Sequence, residues 1–388
     1  MISASDPIVI ASAARTPMGG FQGELKNQNA VALGAAAIRE ALARAGLQGA
    51  DVDEVVMGCV LSAGLGQAPA RQASIGAGLP QSVPASTLNK MCGSGMKAAM
   101  VATDLVASGS ANIVLAGGME SMTNAPYLLE KARGGYRIGH GRIIDHMMMD
   151  GLEDAYDKGR AMGTFAEDTA QHYQFTREAQ DNYALTSLSR AQKAIAEGRF
   201  DAEIVAIDMV KTDEQPGKAR PEKIPHLKPA FRDGGTVTAA NSSSISDGAA
   251  ALVITRMSEA EKRGMTPLAI IHGHASHAQE PNWFTTAPVY AMRKLLEKTG
   301  WSKDDVDLYE INEAFAVVPM AAMHELGISH DVVNINGGAC ALGHPIGASG
   351  ARIMVTLLNA LKANGLKKGV GSLCIGGGEA TAMAVELV

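Results

Sequence analysis

Two cysteines near opposite ends of the chain each abut a glycine cluster, in NKMCGSGMKAA around Cys92 and in SLCIGGGEA around Cys374. A histidine in a third glycine-rich segment, GGACALGHPIGASGAR around His344, lies shortly before the second cysteine. Glycine lets backbone N–H groups approach a ligand closely and permits turns closed to other residues. A thiol in such a setting is a nucleophile with backbone donors ready for a developing oxyanion. One Cys-Gly step alone reads as a small buried thiol in a tight turn. Two of them, with a Gly-His-Pro loop, point to covalent chemistry at sulfur with histidine as the base.

The elements that must position these groups alternate between short β-branched runs and Ala/Leu-rich helical stretches, the pattern of parallel sheets covered by helices. Residues 8–11 and 55–59 read as strands. Residues 30–45 read as a helix with Val31, Ala35, Ile38, Leu42 and Ala45 roughly on one face and Gly46 as its stop. Residues 94–108 read as a small-residue helix just after Cys92, and 113–116 as a strand that runs into Gly117-Gly118-Met119-Glu120. The same order recurs as a helix over 349–363, a strand over 370–374 and Gly376-Gly377-Gly378-Glu379. The matched punctuation predicts an internal duplication whose halves, packed face to face, bring Cys92 and Cys374 together. A thiol at a helix N-terminus feels a positive field, so the Cys92 pKa is expected to fall below the usual value near roughly 8.5.

Bulk properties narrow the partners. The 388 residues are 46% hydrophobic and 19% charged, ordinary for a soluble globular protein with room for two or three units. A net charge of −6 and 4% aromatics argue against nucleic acid. No apolar run approaches the roughly 20 residues of a membrane span, and no signal peptide opens the chain. Four cysteines make no disulfide framework in so long a chain, which points to the cytoplasm. Between the halves, 211–228 is polar with Pro216, Pro221 and Pro225, and is expected to be an extended excursion outside the core.

The three segments, with PIVIASAARTPMGGF, AGGMESMTNAPYL, MGTFAED, GTVTAANSSSISDGAAA and EINEAFAV, resemble the thiolase family over the whole chain. The resemblance implies an α/β fold: a duplicated five-layer αβαβα sandwich with an inserted loop domain. The halves would be 1–122 with 246–266, and 267–388; 123–245 would form the loop domain covering coenzyme A and helping tetramer assembly. It implies reversible Claisen condensation of two acetyl-CoA to acetoacetyl-CoA and CoA by ping-pong transfer through Cys92. These CoA thioesters are substrates, and no cofactor or metal is implied.

The resemblance also distributes roles. His344 is the base for Cys92 and, protonated, a donor to the enolate oxygen. Cys374 moves the α-proton. The N–H groups of Cys92 and Gly376 hold the acyl-thioester oxygen. The Asn312 side chain holds a water beside His344, with Glu313 as supporting structure and Ala314 and Phe315 in the substrate site. Ser243 bonds the pantetheine arm, and Met162 and Phe284 wall the pocket. Lys218 and Arg220 are candidates for CoA phosphate contacts, or plain solvated charges. Cys59 reads as core. Cys340, four residues before His344, has a spacing that invites zinc but lacks companion ligands, and reads as structural. Ala161 stands where many acetoacetyl-specific relatives have His, and Phe284 where some have Met, which leaves chain length open. Ketoacyl synthases use one Cys, so the second cysteine cluster speaks against them. A broader-chain degradative thiolase and a non-catalytic thiolase-like lipid-binding protein are the other readings.

Overall fold

A computed structural model describes residues 5–388. Twelve strands follow in chain order: β1 (Ile8–Arg15), β2 (Gly19–Gly20), β3 (Glu54–Gly58), β4 (Ala85–Leu88), β5 (Ile113–Ser121), β6 (Tyr127–Leu128), β7 (Ile144–Asp145), β8 (Ser246–Arg256), β9 (Ala269–Ala278), β10 (Leu308–Ile311), β11 (Lys368–Ile375) and β12 (Glu379–Leu387). The helices are α1 (Ala30–Ala45), α2 (Pro69–Gly76), α3 (Ser94–Ser108), α4 (Gly163–Tyr173), α5 (Arg177–Ala196), α6 (Glu214–Lys218), α7 (Met257–Lys262), α8 (Ala287–Thr299), α9 (Val317–Leu326), α10 (Ala339–Leu342) and α11 (Ser349–Ala363). Among the described residues, no helix is long and apolar enough to cross a membrane.

The main strands run β4-β3-β5-β8-β1 in one half and β10-β11-β12-β9 in the other. They join only through a short antiparallel seam in which Val9 and Ile10 of β1 meet Ile270 and Ala269 of β9. The two orders match strand for strand, β3 with β10, β5 with β11, β8 with β12 and β1 with β9. The place of β4 is taken in the second half by a single parallel bridge between Tyr309 and Val333. α3 and α11 pack together between the sheets, α1 and α2 cover the first sheet outside, and α8 covers the second. These are the five layers.

The sheets are mixed, not parallel as the alternation predicts. β3 pairs in parallel with β4 and β5, and β10 with β11. In contrast β5/β8, β1/β8, β11/β12 and β12/β9 are antiparallel. Three glycines separate β11 from β12, with positive φ at Gly377 (92°) and Gly378 (88°), and so short a connection only joins antiparallel neighbours.

The central layer is dense because its helices carry small residues where they cross. A Cβ on Gly350 of α11 would lie 2.3 Å from the Met96 nitrogen of α3, and one on Gly95 2.7 Å from that of Ala351. This close approach sets the two helix starts, with Cys92 and His344 just before them, side by side. The polar 211–228 stretch is also tied in, contrary to the expected excursion. Arg15, fully buried in β1, holds Asp213 through Nη1 at 2.7 Å and Nη2 at 2.9 Å, and Glu203 through Nε at 2.6 Å. Glu214 accepts the N–H groups of Gly20 and Glu24. Buried charge is stable when paired and hydrogen-bonded, so these acids anchor α6 to the first half.

Candidate active site

β4 and α3 are joined by an abrupt turn that carries the nucleophile. Met91 adopts φ +47°, a left-handed conformation that costs a non-glycine residue of order 1 kcal/mol. Asn89 Oδ1 accepts the Met91 N–H at 3.0 Å, and the Ser94 hydroxyl donates to the Met91 carbonyl at 2.7 Å while accepting the Lys90 N–H at 2.8 Å. These bonds hold the turn and leave Cys92 half-buried, lining a cavity of about 340 Å³.

His344 enters the same cavity from the loop before α11. Its N–H donates to the Ser244 carbonyl at 3.1 Å, and Ser349 Oγ lies 2.5 Å from Nδ1. The Ser349 hydroxyl donates its own proton to the Pro345 carbonyl at 3.0 Å. Ser349 therefore accepts from His344, which assigns the imidazole proton to Nδ1 and leaves Nε2 as the acceptor. Nε2 lies 3.5 Å from Asn312 Nδ2. Asn312 Oδ1 is buried and accepts no hydrogen bond from the protein.

The glycine turn after β11 supplies the opposite wall. Gly376 lines the cavity with Cys92, and its backbone N–H and that of Cys92 favour the thiolate. Cys374 is fully buried beneath this turn and feels the charge of Cys92, although it does not line the cavity.

Ser243, Met162, Phe284, Ala314, Phe315 and Gly376 line the cavity with Cys92 and His344. Ser243 is placed by its N–H bond to the Ala314 carbonyl at 3.0 Å, with Ser242 bridged to Phe315. Phe284 packs edge-on against Phe165 and Phe315. Asn312 and Cys374 stand behind the wall. Lys218 and Arg220 line a second cavity of about 340 Å³ with Lys223, Ser244 and Cys340. The Lys218 ammonium is paired with Glu214, so it is not the free surface charge that the sequence suggests. Sequence reasoning missed Lys223, whose only signal was its place in the polar stretch, and the acidic rim Asp150, Glu153 and Asp154. Cys59 is core, 1% exposed. Cys340 donates its N–H to Glu313 Oε2, and Glu313 also binds Tyr183, Ser187 and Asn334, which makes it a structural hub.

The electrostatics correct one expectation. Burial pushes the Cys92 thiol up to about 11, and the Gly376 and Cys92 N–H groups offset only part of that rise. The helix N-terminus is a local field that falls off within a turn, whereas desolvation acts on the whole thiolate. Burial, helped by the Arg352 charge, lowers His344 to about 3. At neutral pH the pair is therefore a thiol beside a neutral imidazole. The proton can leave sulfur only as bonding to an electrophile develops. Burial likewise keeps Cys374 protonated.

Comparison with known proteins accords with this constellation. The family "Thiolase, N-terminal domain" matches residues 8–258, and "Thiolase, C-terminal domain" matches 265–387. The chain is 50% identical to acetyl-CoA acetyltransferase 2 of Arabidopsis thaliana, covering 98% of this chain and 97% of the relative. It is 49% identical to the acetyl-CoA acetyltransferase of Cupriavidus necator, covering 98% and 99%. The crystal structure of the Acat5 thiolase from Ascaris suum in complex with coenzyme A superposes with a TM-score of 0.95 at 42% identity, covering 98% of this chain and all of the other.

Proposed function

The chain belongs to the thiolase family, and on that premise we propose that it is an acetyl-CoA C-acetyltransferase that joins two acetyl-CoA into acetoacetyl-CoA and CoA, reversibly. The observation that carries the reading is one cavity walled by the Cys92 thiol, the neutral imidazole of His344 and the Gly376 turn, with the second thiol, Cys374, buried behind it.

The chemistry follows from those groups. The Cys92 sulfur attacks the acetyl-CoA carbonyl while its proton passes to His344 Nε2, and the carbonyl oxygen takes the N–H groups of Cys92 and Gly376. The C–S bond to CoA breaks, and Cys374 protonates the departing CoA thiolate. This leaves acetyl-Cys92, a Cys374 thiolate and a His344 imidazolium, each ion tolerated in a buried site only because the other is present. The Cys374 thiolate takes an α-proton from the second acetyl-CoA. His344 donates to the enolate oxygen, and Asn312 with a bound water shares that oxygen. The α-carbon attacks acetyl-Cys92, the Cys92 sulfur leaves, and the His344 proton returns to it. Atoms and charges balance at every stage.

The CoA tail would run past Ser243 and Ser244 to the second cavity, where Arg220 and Lys223 meet phosphate and Lys218 is held back by Glu214. The acidic rim disfavours carboxylated acyl groups. Phe284 shortens the acyl end while Ala161 opens it, so acetyl transfer is the main activity and longer neutral chains a secondary one. Within this reading the division stays 1–122 with 246–266, 123–245, and 267–388. A homotetramer is supported by the open edge of β4 and by Tyr127, Ile138, Ile143 and Tyr156, all strongly exposed in the 123–245 segment. Four free cysteines support a cytoplasmic setting and a place in fatty acid metabolism goes with the substrates.

CoA-dependent thiolysis across a ladder of 3-ketoacyl-CoA lengths tests the assignment, with the highest kcat/KM expected for acetoacetyl-CoA. Absence of thiolysis at every length would leave a binding protein.

A further inference from the structure

Both Gly-Gly-x-Glu segments, one within β5 and one forming the turn after β11, carry a glutamate whose carboxylate crosses to the other half. Glu379, after the β11 turn, meets Lys90 Nζ at 2.5 Å, two residues before Cys92. Glu120, at the end of β5, is fully buried. Its Oε2 accepts the N–H of Gly347 at 2.8 Å and that of Val60 at 3.0 Å, and its Oε1 accepts the N–H of Leu61 at 3.0 Å. The Cys59 sulfur lies 3.8 Å from Oε1. Gly347 belongs to the loop that carries His344. Each half thus reaches for the reactive loop of its counterpart.

The two contacts differ in weight. The Lys90–Glu379 pair is partly exposed and of the kind that contributes little. Glu120 is sealed, and three backbone N–H groups and the Cys59 thiol hold its carboxylate. There is also no slack around it. A Cβ on Gly347 would lie 2.6 Å from Glu120 Oε2, and one on Gly118 would lie 2.1 Å from the Gly347 carbonyl oxygen.

We infer that Glu120 is a positioning residue of the active site: it locks the His344 loop to the 59–61 loop across the duplication, and so aims His344 Nε2 at the Cys92 thiol. The inference rests on the reading of His344 as the base for Cys92. Glutamine is nearly isosteric but fails here, because its amide turns an N–H donor toward donors already buried.

The test is the rate at which iodoacetamide alkylates Cys92, read by peptide mass spectrometry on the full-length protein. Wild type, Glu120→Gln, His344→Ala and the double variant are compared. Each single variant is expected to slow alkylation at least about tenfold, because a small misplacement of the base is costly. The double variant is expected to be no slower than His344→Ala, because both changes act on one interaction. Multiplying losses in the double variant, or an unchanged rate in Glu120→Gln, would overturn the positioning role. An unchanged rate in His344→Ala would remove the base reading itself and the inference with it. If Glu120→Gln does not fold, hydrogen exchange in the wild-type protein decides: the Gly347 amide should exchange as slowly as the interior of β5. Exchange at the rate of an open loop would overturn the lock.

Discussion

Ser349 Oγ stands 2.5 Å from His344 Nδ1 and donates its own hydrogen bond to the Pro345 carbonyl, so one hydroxyl fixes both the tautomer and the tilt of the imidazole. Ser349 is also the first residue of α11, whose packing against α3 settles where Cys92 lies. The base and the nucleophile are thereby referenced to the same pair of helices.

Ser349→Ala is expected to lower kcat for thiolysis about tenfold with KM for acetoacetyl-CoA nearly unchanged. The hydroxyl touches the base and not the substrate, and loss of a group that orients a catalytic ligand typically costs on that scale. Steady-state kinetics separate the two parameters. A rise in KM at constant kcat would assign Ser349 to substrate binding instead.

A second expectation concerns acid stability. His344 is lowered from its ordinary 6.5 to about 3, so the folded state refuses a proton that the unfolded chain accepts. Its contribution is therefore present above pH 6.5 and lost as pH falls toward 3, at about 1.4 kcal/mol per unit. Relative to His344→Gln, the wild-type protein should lose on the order of 2–3 kcal/mol between pH 6.5 and 4.5. Urea titrations of both proteins at equal concentration measure it. Parallel losses in the two would mean that the imidazole is protonated in the native state.

Met91→Gly is expected to stabilise the fold while impairing catalysis. At φ +47° glycine relieves a cost of order 1 kcal/mol. It also loosens the turn that presents Cys92, so acylation by acetyl-CoA should slow several-fold. Thermal unfolding and single-turnover acetylation report the two effects separately. Loss of stability with full activity would show that the Met91 side chain, not its backbone, matters.

What was legible in the sequence is what glycine and cysteine dictate locally. The bounds of α1, α3 and α11 agree with the structure because Gly46 and glycine-rich starts mark them within a few residues. Cys92, His344 and Cys374 stood out because a thiol or imidazole among glycines is a local pattern. Long-range terms were not legible. The helix-start field at Cys92 is readable from its neighbours, but the burial that outweighs it depends on how the whole chain packs. Arg15 anchors Asp213 from 198 residues away, so nothing near 211–228 announced that its acids are buried. The grasp of Glu120 on Gly347 spans 227 residues, and only the repetition of Gly-Gly-x-Glu hinted at it.

Cys374→Ser separates the two thiols. Cys374 is sealed behind the cavity, and burial holds its proton in the resting site, so it takes no part in capturing the first acetyl group on Cys92 beyond protonating CoA. The serine variant should still give acetyl-Cys92 by mass spectrometry, more slowly, whereas Cys92→Ala should give no adduct. Condensation should fall by at least about a thousandfold, because a hydroxyl of much higher pKa is a poor base for an α-carbon. Wild-type protein in deuterium oxide should exchange the methyl protons of acetyl-CoA, and the variant should not. If Cys374 only fills space at the end of β11, serine is nearly isosteric and both reactions survive. Substantial condensation and exchange by Cys374→Ser would return this cysteine to the core and leave the α-proton without an acceptor.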